Sequence, residues 1–160
     1  MSDSLTPRSQ LFRPVLLLAL LQAACIESYE PDVGPLQDAP CSNEDTDPDV
    51  DVSFRDEIRP RIFAPEPLGC LQCHTPIAPT PIGFEVSGLD LTSLDTARRG
   101  GANSDGIAII PGQPCESILY QKVSAGPPFG ARMPLGGPPY LSESLLQLVH
   151  DWIAEGANDN

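Results

Sequence analysis

The chain has 160 residues and a formal net charge of −13, from 22 Asp and Glu against 9 Lys and Arg. That acidic excess repels a phosphate backbone and excludes nucleic-acid binding. The length suits one domain with appendages, and 6% aromatics beside 19 prolines describe a loop-rich chain whose side chains supply only a modest core.

Residues 1–25 read as an export signal. Arg8 and Arg13 give the positive start, and Val15-Leu16-Leu17-Leu18-Ala19-Leu20-Leu21 is an apolar run too short to stay in a bilayer as a spanning helix. It ends in Leu21-Gln22-Ala23-Ala24-Cys25, which resembles a bacterial lipobox with Cys25 as the lipidated residue. Gln22 departs from the aliphatic residue usual there, and plain cleavage near Ala23-Ala24 is the alternative. Both routes export the product, with a membrane reached only through an N-terminal lipid anchor.

Residues 26–51 carry no Lys or Arg and read as an acidic, disordered linker, unable to bury enough apolar surface to offset its ordering entropy. Asp45, Asp47, Asp49 and Asp51 alternate as in a calcium loop. The EF-hand pattern fails, because Val50 stands where Gly is needed and Asp56 where Glu is needed.

A domain is expected over 52–157, with 158–160 as a tail. Ser53 is placed to cap a helix carrying Phe54, Ile58 and Ile62 at a four-residue spacing. Pro60 should kink that helix or end it.

The chain then reaches Cys70-Leu71-Gln72-Cys73-His74, the C-x-x-C-H attachment sequence for c-type haem. Two thiols three positions apart can reach the two vinyl groups on one porphyrin edge, and the adjoining His is held under the iron. A structural zinc site would need a second ligand pair, and a thioredoxin-type pair would sit in a β-α-β pattern that is absent here. Cys70, Cys73 and His74 are therefore read as the site of one covalent haem c.

Three prolines in Thr75–Ile82 deny helix and central strand, so an extended loop is expected there. Leu89 and Leu91 anchor a tight segment, Leu94 and Ala97 lie on a short helical turn, and Gly100-Gly101 ends it. Pro114 suits the first turn of a helix with Ile118, Leu119 and Val123 on its apolar face.

Met133 is the only Met besides Met1 and sits on a Gly/Pro-rich loop before Pro134. A thioether on a stiff loop suits a sixth iron ligand; core filler is the alternative. Ser142 caps the last helix, where Leu145, Leu148, Val149, Trp152 and Ile153 form one stripe and Gly156 ends it. His150 is off that stripe and is expected to face solvent.

Of five cysteines, Cys41 and Cys115 remain. In an oxidising compartment they can pair, closing a loop that the chain-entropy model values at about 4–5 kcal/mol. Two unpaired thiols are the alternative.

The order of helix, C-x-x-C-H, loops and short helices, Met-Pro and terminal helix resembles a single-haem class I cytochrome c domain. More closely, it is similar to the planctomycete-type cytochrome c domains. The matching residues are Phe54, Ile58, Ile62-Phe63, Gly88-Leu89-Asp90-Leu91, Pro111-Gly112, Ser117-Ile118-Leu119, Met133-Pro134 and Trp152-Ile153 with Gly156-Ala157. The resemblance implies a small all-α fold around covalent haem, with Cys70 and Cys73 as thioether sites, His74 proximal and Met133 distal. It also implies that the first and last helices cross, bringing Phe54 and Ile58 against Trp152. Thr75 departs from the Gly that commonly follows the haem His. Lys122 is the only Lys, so a Lys-ringed docking face is absent.

A saturated His/Met iron implies one-electron transfer with redox partner proteins and no enzyme activity. The alternatives are a peroxidase or gas sensor with an open sixth site, and a structural module stapled by haem. Arg98, Arg99 and Arg132 are candidates to neutralise the haem propionates, against the plainer reading of solvated surface.

Overall fold

In the computed structural model, which describes residues 40–65, 69–104 and 107–160, Ser53 opens the first helix as an N-cap. Its backbone is extended, and its hydroxyl accepts the N–H of Asp56 at 3.1 Å. Two further orphan donors of that helix start meet residue 160: the N–H of Phe54 donates to Asn160 Oδ1 at 2.9 Å and that of Arg55 to the Asn160 carbonyl at 3.1 Å. The expected signal over 1–25, Cys25 with it, and the linker as far as residue 39 lie outside the described residues.

The helix, α1, runs Phe54–Phe63 and is π-helical. Ile58 N–H reaches Ser53 O at 3.1 Å and Ala64 N–H reaches Arg59 O at 2.8 Å, each five residues back. Sequence alone predicts a kink or a stop at Pro60. The chain instead widens its turn, which accommodates a ring without an N–H and carries the helix on to Phe63. Phe54, Ile58, Ile62 and Phe63 are buried.

Three short helices follow: α2, Ile82–Ser87; α3, Leu94–Arg99; and α4, Ile118–Val123. The proline-rich stretch predicts only loop, yet α2 starts where it ends and stops at Gly88, whose φ of 67° is the left-handed closure that favours glycine. Ser93 and Thr96 form a capping box on α3. The helix expected from Pro114 divides into a 3₁₀ turn at Pro114–Glu116 and then α4. The last helix, α5, runs Glu143–Ala154 from the Ser142 cap, as its stripe predicts. Among the described residues there is no strand, so the fold is all-α. None of the described helices is long and apolar enough to cross a membrane.

The core lies between α1 and α5. Trp152 stacks on Phe54 with ring centroids 5.4 Å apart, and Phe63 meets Phe54 edge-on at 5.7 Å. Ile58, Phe63, Trp152 and Ile153 are fully buried, and Leu91, Leu94 and Ala97 close the cluster. Trp152 donates its indole N–H to Asn158 O at 3.1 Å, so the ring is buried without an orphaned donor.

Two expectations need correction. Residues 40–51 of the supposed linker are not free. Cys41 is bonded to Cys115 at an S–S distance of 1.99 Å. Thr46 donates from backbone and hydroxyl to Asp151 at 3.1 and 2.7 Å. Composition reports what an isolated stretch can bury, whereas this strap borrows its partners from α5. His150 is the second correction: it is 7% exposed, because the strap covers it and Ser42 O accepts from its Nε2 at 2.7 Å.

Candidate haem-attachment site

Cys70–Gln72 forms a 3₁₀ turn just after Gly69. A Cβ on Gly69 would lie 2.7 Å from the carbonyl oxygens of both Phe63 and Pro65, so only glycine lets the chain pass so close to the end of α1. The turn then holds itself: Cys73 N–H and His74 N–H both donate to Cys70 O, at 3.2 and 2.9 Å. Two outside donors clamp its exit, Phe84 N–H on Cys73 O and Leu91 N–H on His74 O, each at 2.8 Å. The start of α2 and the segment ahead of α3 therefore fix the pentapeptide.

Cys70 and Cys73 are free thiols, both half-buried. Cys70 Sγ donates to Ile62 O at 3.2 Å. Burial pushes its pKa up to about 11, a backbone hydrogen bond opposes this, and Cys73 adds to it. The thiol is thus neutral and a poor partner for disulfide exchange.

The His74 ring lies against Gly83, where a Cβ would come within 2.8 Å of Cε1 and Nε2 and 2.9 Å of Nδ1. Its Nδ1 is buried without a hydrogen-bond partner. Burial lowers the pKa of the imidazole, the Leu89 backbone pulls it back up, and the Lys122 charge lowers it further. The ring is therefore neutral near pH 7, the state in which imidazole can ligate a metal. Gly83 had no signal in the sequence, because its role rests on a contact nine residues away along the chain.

Met133 is half-buried, and its N–H donates to Lys122 O at 2.7 Å. The ammonium of Lys122 donates to Phe129 O at 2.7 Å and also to Ala131 O. One residue of α4 thus fastens the loop that carries Met133, and its charge reaches His74. Arg132, next to Met133, is buried. Its Nε donates to Val123 O at 2.9 Å, and its guanidinium lies 4.2 Å from the Tyr140 ring centre. Arg98 is half-buried and donates to Ala157 O, whereas Arg99 is exposed. Solvated surface therefore describes Arg99 but neither of the other two.

An all-α domain holding a C-x-x-C-H turn against its first helix is consistent with a cytochrome c-like fold. Residues 70–134 match the family model described as Planctomycete cytochrome C. The match takes in Cys70, Cys73, His74 and Met133, while α1 and α5 lie outside it. A cytochrome c domain implies haem binding and electron-transfer-type function. No curated protein and no solved structure matches the chain.

Proposed function

We propose that the chain is an exported one-electron carrier with a single haem c, attached through Cys70 and Cys73 and ligated by His74 and Met133. One observation carries the reading. Two unpaired thiols are followed directly by an imidazole that burial keeps neutral, while the other two described cysteines are joined to each other. The residues fit the group in three ways. The donor set is two thiols and one imidazole, the His74 ring is seated by a glycine that leaves no room for a Cβ, and a buried ring nitrogen has its hydrogen-bonding capacity unspent.

Bound haem would supply an iron centre that cycles between two oxidation states, and the axial donors set its potential. The protein's own part is to position. The clamps from Phe84 and Leu91 orient His74, Gly83 sets the plane of its ring, and Lys122 holds the Met133 loop. Arg132 adds a buried positive charge beside Met133, suited to offset a propionate. His74 and Met133 would hold the iron between them, and the chemistry such a centre would supply is electron exchange with redox partner proteins. Export and attachment through a lipid on Cys25 rest on the leader-like sequence of 1–25.

The test is haem staining of denatured, exported protein. Colour should survive denaturation in the parent and disappear in Cys70→Ser plus Cys73→Ser; a colourless parent overturns the reading. A sulfur-to-iron band in the near infrared, lost in Met133→Leu, is expected for the distal ligand. A high-spin spectrum in the parent would instead give the site to a peroxidase or gas sensor.

A further inference from the structure

Cys41, Cys115 and His150 gather at a second place, away from the C-x-x-C-H turn. Their ligand atoms, two sulfurs and an imidazole nitrogen, all lie within 4.8 Å of one another. The sulfurs are joined as a disulfide, but the pair is reachable: Cys41 is exposed, Cys115 is half-buried, and both line a cleft of about 260 Å³.

His150 is held as a metal-binding histidine is held. Its Nδ1 meets Asp151 Oδ1 at 2.9 Å, and both side chains are 8% exposed. Burial pushes the Asp151 carboxyl up, but hydrogen bonds from Thr46 and His150 outweigh it and keep the group below its usual range, so it is a carboxylate at neutral pH. The Tyr120 ring lies edge-on to the imidazole at 5.4 Å and fixes its plane. Nε2 is thereby turned to the strap, where its partner is the carbonyl of Ser42, the residue next to Cys41. A carboxylate on one ring nitrogen is the outer-shell arrangement that orients histidine on zinc, and here the other nitrogen faces the residue next to Cys41.

We propose that the reduced Cys41–Cys115 pair, with Nε2 of His150, binds one thiolate-seeking d¹⁰ cation, for which zinc(II) is the probe, and that Asp151 positions the histidine. A dithiol or phosphine reductant supplies two electrons and the S–S bond breaks to two thiols, taking up two protons. Zinc(II) then displaces those two protons and forms two Zn–S bonds. Nε2 gives up to solvent the proton it shares with the Ser42 carbonyl and forms the Zn–N bond in its place, while Nδ1 keeps its proton toward Asp151. Ser42 is free to turn because Cys41 is no longer tied. In a tetrahedral site the sulfurs stand about 3.8 Å apart and each about 3.6 Å from the nitrogen. The three donor atoms start within 4.8 Å of one another, so the site forms by the parting of the sulfurs and a closing-in of the nitrogen. Two Cys and one His leave a fourth position for water.

The test is equilibrium dialysis of the full, haem-loaded chain against buffered zinc(II), with and without a phosphine reductant, counting metal per chain by elemental analysis. About one zinc per reduced chain is expected, with none in the oxidised chain and none in reduced Cys115→Ser. Reduced Asp151→Asn should bind roughly 10–100-fold more weakly. Cys70→Ser plus Cys73→Ser should keep its zinc when reduced, which makes the outcome independent of the haem reading. No zinc on the reduced parent, or equal zinc on the oxidised chain or on Cys115→Ser, overturns the proposal. Loss of zinc in the Cys70/Cys73 variant would move the metal to the other thiols and overturn it equally. Unchanged affinity in Asp151→Asn would overturn the positioning role.

Discussion

His74 depends on an absence, the missing side chain of Gly83. In an ordinary helix start, Gly→Ala would stabilise, since Ala is the better helix former by up to about 1 kcal/mol. At Gly83 the added methyl would meet three ring atoms of His74 at under 3.0 Å. Gly83→Ala should therefore destabilise the fold by about 1–3 kcal/mol, as overpacking does, and in haem-loaded protein it should alter the visible spectrum. Thermal melting and absorbance check both. A variant as stable as the parent would mean that the ring turns aside freely.

Two carboxylates of the α5 region respond to acid in opposite senses. Burial raises the Glu155 pKa above 4.5, opposed by the Val52 N–H and helped by Asp45, Asp51 and Asp151. The folded state thus binds its proton more readily than the unfolded state. The stability gained grows as pH falls through the raised value and is complete below 4.5. Asp151 is held below 3.8, so its contribution is present above 3.8 and is lost as pH falls through the lowered value. Denaturation midpoints measured from about pH 7 to pH 3 should rise less on acidification in Glu155→Gln than in the parent, and fall less at the acid end in Asp151→Asn.

At the scale of elements, α1 and α5 hold each other through few side chains. Phe54 lies between Phe63, edge-on, and Trp152, face-on. The stack also organises polar groups, because the Trp152 N–H fixes Asn158 while residue 160 caps α1. Trp152→Ala should cost about 3–5 kcal/mol. Because α1 carries Ile62, whose carbonyl accepts from Cys70 Sγ, the loss should also loosen the attachment turn. Chemical denaturation measures the first effect, and haem incorporation per chain during export measures the second. Full incorporation despite the lost stability would uncouple the turn from the core.

For the whole molecule, the disulfide spans 74 residues and ties the strap to the 3₁₀ turn Pro114–Glu116 ahead of α4. The chain-entropy model gives about 4–5 kcal/mol for a loop of that length. Cys115→Ser should lower stability by that order in oxidised protein and make no difference under reducing conditions, as denaturant midpoints with and without reductant would show. An equal deficit under both conditions would place the effect in packing around residue 115. The net charge of −13 adds a constraint on docking: partners that read charge should be basic, and their association should weaken as salt rises.

The pentapeptide and the amphipathic stripes were legible in the sequence, because each is a local pattern with a chemical or geometric period. C-x-x-C-H specifies its donors by spacing alone, and Trp152 and Ile153 lie on the face that their 3.6-residue repeat predicts. Gly83 under His74, Lys122 fastening the Met133 loop, and the strap over His150 were not legible. The strap joins residues 108 apart, and the other two contacts cross a turn between separate elements, so no local pattern records what the next segment will cover. Pro60 shows the same limit within one element, where propensity foretold a break and packing of Phe54 and Phe63 on the core kept the helix going through a widened turn. The sequence by itself determined the helical class and named the candidate donors. Only the tertiary structure decided which polar groups are buried and partnered, because burial belongs to the assembled chain and to no segment of it.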